Sequence, residues 1–180
     1  MRLADLNALE GGAAADALLR CCGSSPWAQQ MAAARPFAGA EAVARAADAI
    51  WAALDRADWL EAFAAHPKIG DTKSQRAGGA GRAGRSSAAD WSQQEQAGVD
   101  DAAEESLRRL TEANRDYEAR FGYIFIVCAT GRTAGEMLAL LVRRLGHDAG
   151  EELPIAAEEQ RKIMQLRLRK LLEEDPDTTP

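Results

Sequence analysis

Apolar residues recur at three- and four-residue steps along most of this chain, and the gaps between those runs carry helix punctuation. A short run from Leu3 to Leu9 breaks at Gly11-Gly12, and a second, Ala13 to Cys22, stops at Gly23. Ser25-Pro26-Trp27 reads as the next start, with Ser25 as N-cap and Pro26 at the first helical position, and that helix stops before Pro36. Val43, Ile50, Trp51 and Leu54 place a helix over Ala40 to Leu54, and a shorter one from Asp58 carries Trp59, Leu60 and Phe63 towards His66.

The periodicity fails over 73–90, KSQRAGGAGRAGRSSAAD, which reads as a flexible, locally basic loop. A long helix follows over Asp100 to Arg120, with Leu107, Leu110, Ala113 and Tyr117 inward and Gly122 as its stop. YIFIVCA, 123–129, is apolar throughout and must be buried, but seven residues do not choose between an extended stretch and a helical turn. Thr133 and Glu136 fit a capping box for a helix through Leu145, and a last helix spans Leu153 to Leu172 with Glu158 four residues before Lys162.

Composition agrees with this helical reading. Apolar residues make up 47% of the chain, with many alanines and few β-branched residues, so the expected fold is an all-α, single-domain helical bundle of 180 residues. The formal charge of -6 argues against nucleic-acid binding, which needs a basic face to displace phosphate counterions. A small polar metabolite is the better expectation.

No P-loop ending follows the glycines of 78–84. Cys21, Cys22 and Cys128 lack metal-type spacing and read as buried small apolar residues in a reducing compartment, so no metal is expected. No run of 18 apolar residues occurs, and MRLADLNALE carries charge where a secretion signal needs an apolar stretch. A cytoplasmic protein with no membrane partner is expected.

Three polar residues are candidates for chemistry, each with a plain structural alternative. His66 precedes Pro67, whose ring disfavours helical geometry in the residue before it, so the imidazole is fixed at a helix exit. It serves there either as a C-terminal cap or as a poised acid. Glu95 in WSQQEQ is either the return arm of a capping box with Ser92 or a carboxylate for catalysis. Arg132, just ahead of a helix start, suits an anion but equally suits a surface pair with Glu136. His147 lies in a polar Gly-His-Asp stretch that reads as a surface turn.

The segments SPWAQQMAAARPF, AAHPKIGD, WSQQEQAGV, NRDYEARFGYIFIVCATGR and EEQRKIMQLRLRKLL, in this order, are jointly specific. Together they resemble the 2-oxo-4-hydroxy-4-carboxy-5-ureidoimidazoline (OHCU) decarboxylases of urate degradation, in their bacterial branch. The resemblance implies an all-α homodimer that converts OHCU to (S)-allantoin and carbon dioxide without metal or organic cofactor. It places the catalytic histidine on His66 and the catalytic glutamate on Glu95. It also carries substrate contacts to Pro67, Ser92, Gln93, Gln96, Phe125, Ile126, Val127, Cys128 and Ala129. To these we add Arg132 as an expected anion contact, although the spacing after the apolar run varies in the family. Main-chain N–H groups of 125–129 would then face a developing oxyanion. The loop between the HPKIG and SQQEQ motifs is longer than in the compact animal members. Two rival readings remain at this point: a helical interaction module without chemistry, and hydrolysis of 5-hydroxyisourate, another step of the same degradation.

Overall fold

The computed structural model describes residues 1–68 and 104–173, with side chains over 1–68 and 108–172. Among the described residues there are eight helices and no strand, so the all-α expectation holds. In chain order they are α1 (Leu3–Ala8), α2 (Gly11–Cys22), α3 (Ser25–Ala33), α4 (Ala40–Ala53), α5 (Arg56–Ala64), α6 (Glu104–Phe121), α7 (Ala134–Arg144) and α8 (Ala149–Glu173). The loop expected over 73–90 and the start of the helix expected from Asp100 lie outside the described residues.

Two compact units are present, Met1–Ala62 with Arg161–Pro180 and Phe63–Gln160. In the first, α2 packs against α3 and α3 against α4. Leu6, Leu18, Trp27, Met31 and Ala47 are fully buried there. The Trp27 indole N–H donates to the Ala47 carbonyl at 3.2 Å, which satisfies the polar edge of a large buried ring. Arg35 closes the end of α1 by donating to the carbonyls of Leu6 (2.6 Å) and Leu9 (2.7 Å), groups that a short helix leaves unpaired. From α8, Arg161 reaches Asp48 of α4 at 2.9 Å, and Gln165 donates to the same carboxylate at 2.8 Å.

The helix ends refine the sequence reading. Ser24, not Ser25, caps α3: its hydroxyl accepts from the Trp27 N–H at 3.4 Å, while Ser25 donates its own hydroxyl to Glu61 at 2.6 Å. α5 begins at Arg56 rather than Asp58, because Asp55 and Asp58 exchange side-chain and main-chain bonds of 3.0 and 3.4 Å. α8 begins at Ala149, ahead of the expected Leu153. The Asp148 carbonyl already accepts from the N–H groups of Glu151 and Glu152, so the helix is established before Pro154, which removes only its own N–H. Gly23 and Gly122 close α2 and α6 with φ of 82° and 79°, a conformation open to glycine without a side-chain clash.

In the second unit α6 packs against α7. Its core is aromatic: Tyr117 lies 4.6 Å from Phe121 and 5.3 Å from Phe125, ring centre to ring centre, and Phe63 lies 5.3 Å from Tyr123. The inward face of α6 runs Leu110, Asn114, Tyr117 and Phe121, whereas Ala113, expected inside, is only half-buried. An asparagine therefore sits on the apolar stripe, and it acts on the segment that follows the helix.

Candidate functional site

Residues 123–129 form neither helix nor sheet. Tyr123, Ile124, Phe125, Ile126 and Ala129 are buried, while Val127 and Cys128 are half-exposed. An irregular stretch buried without a strand partner needs its main-chain polar groups satisfied by side chains, since an unpaired buried N–H or C=O costs about 1–3 kcal/mol.

Four side chains do this. Asn114 Oδ1 accepts from the Phe125 N–H at 3.0 Å. Arg144 Nη1 donates to the Ile126 carbonyl at 2.8 Å. Glu159 Oε2 accepts from the Cys128 N–H at 2.8 Å, and Arg132 Nε donates to the Cys128 carbonyl at 3.2 Å. Of the main-chain N–H groups of 125–129 expected to supply donors to a ligand, those of Phe125 and Cys128 already bind side chains. Ile126, Val127 and Ala129 retain the role of candidates.

Behind the stretch lies a buried charged cluster that the sequence reading did not isolate. Arg144, in the last turn of α7, is 3% exposed and Glu152 of α8 is fully buried. Arg144 Nε donates to Glu152 Oε1 at 2.6 Å, and the Tyr117 hydroxyl also hydrogen-bonds that oxygen. Burial, followed by this bond to Glu152, holds the Tyr117 hydroxyl protonated well above the ordinary phenol range. His147 places Nδ1 2.7 Å from Glu152 Oε2, so it is not simply a surface-turn residue. The guanidinium of Arg144 also lies over the Phe125 ring, 4.7 Å from its centre. The sequence signal for Arg144 was faint, because arginines in a last helical turn are usually solvated dipole partners. Asn114 was more legible, lying four residues after Leu110 and three before Tyr117 on one face.

His66 lies two residues past the end of α5, half-buried, with its N–H donating to the Phe63 carbonyl at 3.2 Å. Pro67 is also half-buried. The exit is tethered on both sides. Before it, Phe63 is fully buried against Tyr123, the first residue of the apolar stretch. After it, Lys68 Nζ contacts the Glu118 carboxylate of α6 at 2.7 and 2.8 Å. Arg132 is half-buried at the far end of the stretch. Glu95, Ser92, Gln93 and Gln96 lie outside the described residues.

The arrangement defines an all-α protein whose candidate site is a side-chain-supported irregular wall belonging to the same compact unit as a tethered His-Pro exit. The chain belongs to the OHCU decarboxylase family, whose profile matches residues 7–169. It is 44% identical over 151 residues to the uric acid degradation bifunctional protein TTL of Arabidopsis thaliana, covering 84% of this chain and 45% of that protein. Against the 2-oxo-4-hydroxy-4-carboxy-5-ureidoimidazoline decarboxylase of Amia calva the identity is 36% over 81 residues, 45% of this chain and 46% of that one. The chain thus spans under half the length of these two relatives. A crystal structure of OHCU decarboxylase in the presence of (S)-allantoin superposes with a TM-score of 0.73 at 38% identity, covering 88% of this chain and 99% of that one.

Proposed function

We propose that this chain decarboxylates OHCU to (S)-allantoin, with His66 as proton donor and Glu95 as the carboxylate that orients it. The observation that carries this reading is the tether of the His66 exit to the apolar stretch, through Phe63 on Tyr123, with both residues in one compact unit. The match over 7–169 supports taking the chain as one family domain.

Loss of carbon dioxide leaves electron density on a ring carbon, delocalised into the neighbouring carbonyl and imine. Donors aimed at the oxygen stabilise that enolate-like state most when water is excluded. The Ile126, Val127 and Ala129 N–H groups fit this role in a buried wall. Pro67, Ser92, Gln93, Gln96, Phe125 and Cys128 would complete the pocket, and Arg132 would hold the substrate's carboxylate or its ureido oxygen. The single hand of the product requires a proton delivered to one face. His66 supplies it, and positioned acids of this kind contribute about 10²–10⁴ in rate. The substrate's own carbonyl and imine take up the electron pair released with carbon dioxide, so the reading includes no cofactor. We place the protein in the cytoplasm as a homodimer. No helix among the described residues is long and apolar enough to cross a membrane.

The test is a comparison of freshly generated OHCU with and without the protein, followed by polarimetry or NMR against spontaneous decay. Faster loss with one hand of allantoin is expected. Decay at the spontaneous rate would overturn the proposal and favour the interaction-module reading, whereas faster consumption of 5-hydroxyisourate alone would favour the hydrolase reading.

A further inference from the structure

Burying Arg144 with Glu152 is a poor way to gain stability. Removing two charges from water costs several kcal/mol per ion, and apolar replacements of such pairs are often neutral or stabilising. What the pair does supply is geometry. A guanidinium presents five N–H groups in a rigid plane, and here that plane is used in several directions at once. Nε donates to Glu152, Nη1 to the Ile126 carbonyl, Nη2 lies 3.3 Å from the Tyr117 hydroxyl, and the flat face covers the Phe125 ring. Glu152 is itself held by the Tyr117 hydroxyl and by His147.

Arg144 therefore grips two consecutive residues of the wall, one by its ring and one by its carbonyl. The peptide plane that carries the Ile126 carbonyl also carries the Val127 N–H, so fixing the former aims the latter. We infer that Arg144, oriented by Glu152 and Tyr117, is a positioning residue that sets the register of the substrate-facing stretch Ile126–Ala129 without touching substrate. The inference rests on the decarboxylase reading.

The tests are Arg144→Lys and Tyr117→Phe. Lysine keeps the charge but reaches either Glu152 or the Ile126 carbonyl, not both, so kcat/KM is expected to fall roughly ten- to a hundred-fold, mainly in kcat. Tyr117→Phe keeps the ring and removes one support of Glu152, with an expected loss of about three- to ten-fold. In both variants amide hydrogen exchange across 123–129 should accelerate relative to wild type. Folded variants within about two-fold of wild-type kcat/KM, with unchanged exchange over 123–129, would reduce the cluster to a fold-holding role. If Arg144→Lys does not fold, Tyr117→Phe decides by the same two readouts. A wild-type protein inactive on OHCU would sink the decarboxylase reading, while the exchange measurement would still judge the positioning.

Discussion

Phe63 and Tyr123, 60 positions apart in the chain, face each other with ring centres 5.3 Å apart at an interplanar angle of 47°. Three residues beyond Phe63 comes the imidazole, and from Tyr123 runs the apolar wall. The contact ties two motifs that the sequence offers only as separate fragments, and it gives the substitution at His66 a clear expectation. His66→Asn should fold like wild type, since the burial of Phe63 is untouched. Its turnover of OHCU should fall by about 10²–10⁴. A folded variant with wild-type rate and product handedness would remove the proton donor from the mechanism.

Glu95 is decided by separating rate from stability. If it orients His66, Glu95→Gln lowers kcat and leaves the unfolding midpoint nearly unchanged. If it only returns a capping bond to Ser92, the midpoint drops while kcat per folded molecule stays at the wild-type value. Parallel kinetics and thermal unfolding on one preparation separate the two.

Arg132 donates through Nε to the Cys128 carbonyl at 3.2 Å, its charge acts on the Glu136 carboxylate, and its guanidinium carries terminal N–H groups of the kind that grip an anion. Arg132→Ala is expected to raise KM for OHCU about ten-fold with a smaller change in kcat, in keeping with a contact made equally in the ground and transition states. Steady-state kinetics showing an unaltered KM would assign the side chain to support of the wall alone.

Among the described residues, the order of the helices and most of their ends could be read from the chain because they depend on local signals: Gly23, Gly122 and the Thr133–Glu136 pair act within a few residues of themselves. The apolar stretch could be recognised as buried but not as non-helical. Its conformation is settled by Asn114, Arg144 and Glu159, which lie 11, 18 and 31 positions from the groups they bind. Non-local side-chain-to-backbone bonds leave no periodicity to detect. For the same reason His147 reads as surface in the sequence, since nothing nearby reveals that it leans on a buried carboxylate five residues on.

Tyr117 should be an alkaline sensor of folding. Its hydroxyl is held protonated in the native state, so the folded value lies above the unfolded one near 10. Stability contributed by that difference is fully present below the unfolded value and is lost as pH rises beyond it, because the unfolded chain releases the proton and the native chain does not. Unfolding midpoints measured upward from neutral pH should therefore decline above about 10, and decline less in Tyr117→Phe. Identical slopes in the two proteins would mean that the cluster does not hold the phenol in its neutral form.

The capping box of α7 gives the opposite sign at the acid end. Glu136 accepts from the Thr133 N–H at 2.7 Å and from its hydroxyl at 2.9 Å, and the main-chain bond, followed by the hydroxyl, lowers the carboxyl below its usual 4.5. A lowered value stabilises the native state above the unfolded value, and that contribution disappears as pH falls through the native one. Glu136→Gln should thus unfold at a lower temperature than wild type at neutral pH, with the gap closing as pH falls below the usual carboxylate value. The helix it starts also carries Arg144, so this variant has a second use. A weakened cap that leaves OHCU turnover intact would show that the start of α7 can loosen while its last turn still holds the wall. A proportional loss of turnover would mean that cap and wall are coupled through the helix.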